Sequence, residues 1–357
     1  MSDFVVGVLL HFRGPGGIYG PSCQAVTELA VAEINATGGI LGRPVRAELF
    51  DAGEPLADLG QRLRRALDDR RIDALTGWHT SAVRNAVVPL VQRRVPYVYP
   101  AAYEGTEHRS GLYVTGEVPS AQLFPAIDRL RADTGARRWF VVGDDYAWPR
   151  GTVEALAPQL AALGASFVGA RFLPERGASP ADLSETLDAV ETSGADGVLL
   201  LMVGQNGVRF NRHFARRGLH ERVARLSTLM EENMLMGSGA GATANLYSAG
   251  GWFRSLATGD ALDLVGRYAA HHGAHAPAVG AAAEACYEGV VALRRIVEQA
   301  GSADVAATDR VVDGLVYEGP RGVMQFRGNH AEHRLYLARA DGYDFDLLAQ
   351  LDRRPHR

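Results

Sequence analysis

The chain has 357 residues, long for a single core, so two lobes of ordinary size are the natural expectation. A hydrophobic content of 47% and a charged content of 22% suit a globular protein, and the net charge of −4 comes from interleaved arginines and carboxylates. No basic patch or aromatic-basic interleaving stands out, which argues against direct nucleic-acid binding, and the apolar runs are of strand length, which argues against a membrane span.

The start, MSDFVVGVLL, leads straight into an apolar run at 4–10, as expected of a strand buried on both faces. It has no basic leader and no small-residue cleavage site, which predicts a cytoplasmic protein. A glycine-rich loop, His11 to Gly20, lacks the pattern of a phosphate loop. A helix over 21–36 ends at Gly38-Gly39, a strand spans 45–50, and a helix spans 56–67 with Arg62, Arg64 and Arg65 on a solvated face.

Residues 72–105 form the stretch around which the rest is organised. The apolar run Ile72, Ala74, Leu75 stops at Gly77, and the turn Trp78-His79-Thr80-Ser81 follows. Val83, Ala86, Val87, Leu90 and Val91 then recur at the spacing of one buried helix face. Pro89 within it removes the bond to Asn85 and predicts a kink. Pro96 to Pro100 reads as the next strand. Strand, turn, helix, strand places Thr80 or Ser81 at a helix N-terminus on the carboxyl edge of a parallel sheet, where free amides favour an oxygen-rich ligand group. Trp78, His79, Thr80, Ser81, Tyr99 and Tyr103 crowd that edge, the composition of a pocket for a small polar molecule.

Strand 112–116, a break at 117–120 and a helix over 121–131 lead to a second strong apolar strand, 138–142. It exits into Gly143-Asp144-Asp145-Tyr146-Ala147-Trp148-Pro149. The strand–helix series then repeats through 153–163, 166–172, 181–192, 197–203, 205–217 and 223–227, so two doubly wound parallel-sheet lobes of similar topology are expected. Glu231-Glu232 reads as a solvated helix start. Strand 246–253, helices at 260–272, 278–300 and 306–316, and antiparallel strands at 322–326, 333–339 and 343–351 complete the chain. The helices return to the first lobe and the final strands close the second. Residues 1–117 with 251–325 make the first lobe and 118–250 with 326–357 the second, with crossings near 116–120, 247–254 and 325–329. Cys23 and Cys286 fit no metal spacing and are expected as buried thiols.

This layout resembles the type 1 periplasmic-binding-protein fold, the leucine- and amide-binding family of two-lobed receptors that close like a flytrap. Asn35-Ala36-Thr37-Gly38-Gly39-Ile40-Leu41-Gly42-Arg43-Pro44 and Ala285-Cys286-Tyr287-Glu288-Gly289 resemble the family at large. Tyr99-Pro100-Ala101-Ala102-Tyr103-Glu104-Gly105 and Gly143 to Arg150 resemble its amide-sensing regulators (AmiC-like) and the urea and short-chain-amide receptors. The resemblance implies a ligand held between the lobes. Ser81 matches a first-lobe hydroxyl that hydrogen-bonds it, and Tyr99 matches the aromatic after the next strand. Tyr146 matches a second-lobe tyrosine that closes over the site, while Thr228, with Ser227, falls on a later second-lobe edge. His79 and Trp148 stand where the amide regulators carry tyrosines, and Ala101 replaces a ligand-contacting threonine. These departures imply a ligand other than a two-carbon amide.

No GxSxG, HExxH or CxxC pattern is present, and no metal or cofactor is called for, so a non-catalytic receptor is expected. The main expectation is a cytoplasmic sensor of a small amide, urea-like or amino-acid-like molecule. It would regulate amide-utilisation genes through an antiterminator-type protein and could pair as a homodimer. The alternative is the substrate-binding protein of an ABC transporter, outside the cytoplasm.

Overall fold

The computed structural model describes residues 2–273 and 275–351. The chain builds a first strand–helix series: β1 (Phe4–Leu10), α1 (Gly20–Ala36), β2 (Val45–Asp51), α2 (Leu56–Asp68), β3 (Ala74–Thr76), α3 (Ser81–Val91), β4 (Tyr97–Tyr99) and β5 (Leu112–Val114). A second follows: α4 (Pro119–Thr134), β6 (Arg138–Asp144), α5 (Ala147–Ala162), β7 (Ser166–Leu173), α6 (Pro180–Ser193), β8 (Gly197–Leu201), α7 (Gln205–Arg216), β9 (Ala224–Ser227), α8 (Glu232–Ser238) and β10 (Leu246–Gly250). The remainder comprises α9 (Gly259–His272), α10 (Ala281–Ala300), α11 (Val305–Val312), β11 (Val316–Gly319), β12 (Gly322–Arg327), β13 (His330–Glu332), β14 (Leu335–Asp341) and β15 (Asp344–Leu351).

Within the first sheet the parallel strands run β2-β1-β3-β4-β5, and within the second β7-β6-β8-β9-β10, the same winding repeated. Further strands extend both sheets: β13, parallel to β5, then the antiparallel β12 and β11 in the first, and the antiparallel β14 and β15 beyond β10 in the second. β1 is buried at every residue, as its unbroken apolar run requires of a strand covered on both faces. The two lobes are therefore doubly wound α/β units of matching topology, a flytrap architecture.

Two details depart from the sequence reading. α3 runs unbroken through Pro89. Asn85, whose carbonyl loses its partner, lies on the exposed side of the helix where water can satisfy it. β12 and β13 pair into the first sheet, through β13 and β5, rather than closing the second. The sequence pattern places residues 326–357 in the second lobe. Strand pairing keeps β13 in the first sheet and β14 in the second, which puts the third crossing at His333-Arg334. Residues 352–357 of that segment lie outside the described residues. Lastly, Cys23 on α1 and Cys286 on α10 are buried free thiols, as expected, on helices packed against each other.

Candidate functional site

In each lobe the winding direction reverses between two strands, β1 and β3 in the first and β6 and β8 in the second. Such a reversal leaves a crevice at the strand carboxyl ends. The two crevices face one another. A cavity of about 360 Å³ lies between them, lined by His11 after β1, Thr80 after β3, Glu175 after β7 and Val203 after β8. Gly77 makes the first-lobe turn possible: at φ 116° its missing Cβ would stand 2.3 Å from Leu9 O. Gly204 does the same for the second, where a Cβ would stand 2.1 Å from Pro15 O of the opposite lobe.

α3 opens onto this cavity. Thr80 holds the N-cap position without capping the helix through its side chain. The amides of Ser81, Ala82 and Val83 have no backbone acceptor among the described residues, as expected of a first helical turn. Ala82 and Val83 line the cavity. Thr80 Oγ1 instead lies 3.5 Å from Glu175 Oε1 across the cleft. Burial pushes the Glu175 carboxyl up from its usual value. His11, 8% exposed, also lines the cavity, and its buried Nε2 has no hydrogen-bond partner in the structure. Burial lowers its pKa to about 4 despite Asp51 nearby, so the ring is neutral at ordinary pH.

On the second-lobe side the cavity is lined by Glu175, Arg176 and Val203, with a buried carboxylate behind them. Asp144 ends β6 fully buried, accepting the Val203 N–H at 2.7 Å and an Asn206 Nδ2–H at 2.8 Å. Burial raises its pKa to about 8, with Glu175 adding to the shift. Tyr146 follows at the N-cap of α5, half-buried, 6.2 Å ring to ring from Trp148, and within electrostatic reach of Asp144, Tyr99, Glu175 and Tyr19. Trp148 itself packs into the second-lobe core with Leu156 and Leu160.

Of the residues singled out from sequence, Thr80 thus stands at the cavity and Ser81 opens the helix beside it. Ser81 Oγ donates to Glu104 at 3.0 Å. His79, Tyr99, Ala101 and Tyr103 lie behind this edge, fully or nearly fully buried. Tyr99 donates its hydroxyl to His79 O at 2.9 Å, and His79 Nε2 pairs with Tyr97. Burial holds the His79 pKa down to about 3. Tyr103 pairs with His330. Thr228 lines a separate, smaller cavity of about 30 Å³ nearer the hinge, with its buried hydroxyl unpartnered.

Sequence reasoning passed over several groups that matter here. Arg84, 2% exposed, lies beneath the α3 turn against Glu104, with its guanidinium 5.0 Å from the Tyr99 ring centre and 5.1 Å from that of Tyr103. Only its i+3 spacing from Ser81 hinted at that. Tyr19, buried at 1%, reaches from the first lobe into the second, where its hydroxyl accepts the Gly204 N–H at 3.0 Å and points at Leu229 O, 3.2 Å away. Glu231 and Glu232, expected on a solvated helix start, are both buried. Glu231 accepts the Ala282 N–H at 3.0 Å and so caps α10 from the opposite lobe. Among the described residues no cluster of His, Cys, Asp and Glu could hold a metal ion.

Two matching α/β lobes that turn their switch points onto a shared cleft define a two-lobed receptor for small molecules. The chain belongs to the periplasmic binding protein family, whose sequence model matches residues 4–344. That family comprises substrate-binding proteins rather than enzymes. Solved structures share the fold throughout. A solute-binding protein of an ABC transporter from Rhodopseudomonas palustris HaA2, in complex with p-hydroxybenzoic acid, matches with a TM-score of 0.86 and 21% identity, covering 99% of this chain and 98% of that one. The leucine-binding protein LivK of Thermotoga maritima matches with a TM-score of 0.80 and 18% identity, covering 98% and 99%. A Leu/Ile/Val-binding protein, BraC3, of Rhizobium johnstonii is 44% identical over 55 residues, a stretch spanning 15% of each chain.

Proposed function

We propose that this protein is the solute-binding receptor of an ABC-type importer, working outside the cytoplasm. Its ligand is a small molecule with an oxygen-rich end and an N–H-rich end, of the amino-acid or short-amide class. The observation that carries this reading is the pairing of opposite chemistries across one cavity. The open first turn of α3, beside Thr80 and His11, offers donors to a carboxylate or carbonyl. Glu175 on the facing lobe offers an acceptor to an ammonium or amide N–H. Ser81 and Tyr146 remain contacts proposed from the resemblance, with Tyr146 closing from the second lobe, whereas Tyr99 stands buried behind the turn and Thr228 lines the separate smaller cavity. Ligand contacts to both walls favour the closed form, so binding works by shifting the open–closed balance.

The family membership and the transport receptors among its structural relatives support the importer reading over the amide-sensing regulator. The regulator reading would bring a cytoplasmic site, an antiterminator-type partner and a homodimer with it. A thermal-shift screen against branched-chain amino acids, short amides, urea and p-hydroxybenzoate separates the classes, since a ligand that binds only the folded form raises its melting temperature. A shift with amino acids or amides supports the reading. A shift with p-hydroxybenzoate alone contradicts the N–H-rich end, because that ligand offers Glu175 no ammonium or amide group.

A further inference from the structure

The three crossings between the lobes meet at one carboxylate. Glu117, on the first crossing, accepts the backbone N–H of Gly251, on the second, at 3.1 Å. His333, on the third, places Nε2 3.5 Å from the same oxygen. A Cβ on Gly251 would lie 3.0 Å from atoms of Glu117, Arg321 and His333, so the second crossing threads this point as a glycine.

Arg321, in the turn between β11 and β12, ties the knot. Its Nη1 is 3.4 Å from Glu117 and 3.0 Å from His333 Nε2, and its Nη2 donates to Thr115 O at 3.4 Å. Its Nε is 3.1 Å from Glu284 and 4.0 Å from Glu288, both on α10, while Tyr317 of β11 packs beside Glu288. A fourth carboxylate comes from the second lobe. Glu231 shares the cavity of about 30 Å³ with Glu117 and Glu284, and accepts N–H groups from Ala282 at 3.0 Å and Asn233 at 3.2 Å. That space holds about one water, far too little to hydrate several anions.

One guanidinium cannot neutralise three buried carboxylates, Glu231, Glu284 and Glu288, together with the partly buried Glu117. Glu117 is held down to about 2 by His333 and Arg321 against the pull of burial. Burial raises Glu284 and Glu288 from the usual carboxylate range and Glu231 to about 7, with neighbouring carboxylates adding to the rise at Glu284 and Glu231. We propose that closure of the lobes takes up protons at this hinge cluster, so that acidity favours the closed receptor and rising pH opens it. Parting the lobes breaks the contact between Glu231 and Ala282 and admits water to Glu231 and Glu284, where both can ionise. An acid whose pKa is higher in the closed form stabilises that form at low pH and withdraws the stabilisation as pH rises toward the raised value.

The inference is independent of which ligand binds, so its test uses the ligand-free full chain. Small-angle scattering between about pH 5.5 and 8.5 at fixed salt reads the radius of gyration. The wild type is expected to expand as pH rises, with the open-to-closed ratio changing by up to about tenfold per pH unit for each proton released. Glu284→Gln and Glu231→Gln, which mimic the protonated acids, are expected to stay compact over the range. A wild-type radius that ignores pH overturns the proposal, as do folded variants that keep the wild-type response. If a variant does not fold, as judged by circular dichroism, the wild-type titration decides alone.

Discussion

The Tyr19 hydroxyl, carried by the first lobe, accepts the backbone N–H of Gly204 in the second at 3.0 Å. Tyr19 is buried at 1%, and Gly204 sits at the second-lobe switch point with a left-handed φ of 47°. The contact therefore exists only when the lobes are together. Tyr19→Phe leaves the Gly204 amide unpaired in the closed form at a cost of about 1–3 kcal/mol. Ligand affinity should fall roughly fivefold or more, while the folded state is little changed because parting the lobes already separates the pair. Calorimetry with a compound identified by thermal shift measures it. Wild-type affinity in Tyr19→Phe would show that the contact does not hold the closed state.

Glu175 decides between ligand classes. It faces the open turn of α3 from the other lobe, and Thr80 Oγ1 lies 3.5 Å away. Glu175→Gln keeps a carbonyl acceptor and removes the charge. An ammonium-bearing ligand should then lose roughly tenfold in affinity, the difference between a charge-assisted and a neutral hydrogen bond, whereas a neutral amide should lose less than threefold. Equal losses for both classes would place the ligand nitrogen elsewhere.

Two buried histidines give the fold an acid limit. The pKa values of His11 and His79 are depressed to about 4 and about 3, in each case chiefly by burial. Their unfolded values are near 6.5. A base held neutral in the folded state contributes full stability above its unfolded pKa and loses it as pH falls toward the folded one. Urea unfolding at pH 7 and pH 5 should therefore show a loss of about 2 kcal/mol from each histidine. His79→Phe should have a shallower slope, and an unchanged slope would mean that another group carries the acid sensitivity.

The architecture was readable because it is written in local pattern. Continuous apolar runs such as 4–10 and 138–142 mark strands buried on both faces, and the stripe from Val83 to Val91 marks a helix whose first turn begins at Thr80-Ser81. The placement of β13 was not readable, since a short strand carries nothing in its own sequence to say which of two sheets it joins. The same limit hid the wiring of the cleft. The bond from Tyr19 to Gly204 joins residues 185 apart, and that from Glu231 to Ala282 residues 51 apart. A glutamate pair before a short helix looks solvated until the opposing helix terminus that it caps is in view. Resemblance to the wider family reached the right fold and marked residues near the cleft, but the edge motifs did not fix which member's ligand or location applies.

Arg84 shows how the first turn of α3, beside the cavity, is held up from below. It is 2% exposed, paired with Glu104, 3.6 Å from Glu107, and sandwiched by Tyr99 and Tyr103. Glu104 in turn accepts the Ser81 hydroxyl at 3.0 Å, so the first residue of α3 is tied to the buried pair. Arg84→Met strands Glu104 without its cation and should cost about 3–5 kcal/mol of stability. Arg84→Met combined with Glu104→Gln removes the stranded charge while keeping an acceptor for Ser81. It should therefore recover more than half of that loss, because an uncompensated buried charge is worse than none. Urea denaturation of the two variants and of Glu104→Gln alone completes the cycle. A double variant no more stable than Arg84→Met would mean that Arg84 acts through packing on the two tyrosines rather than through charge.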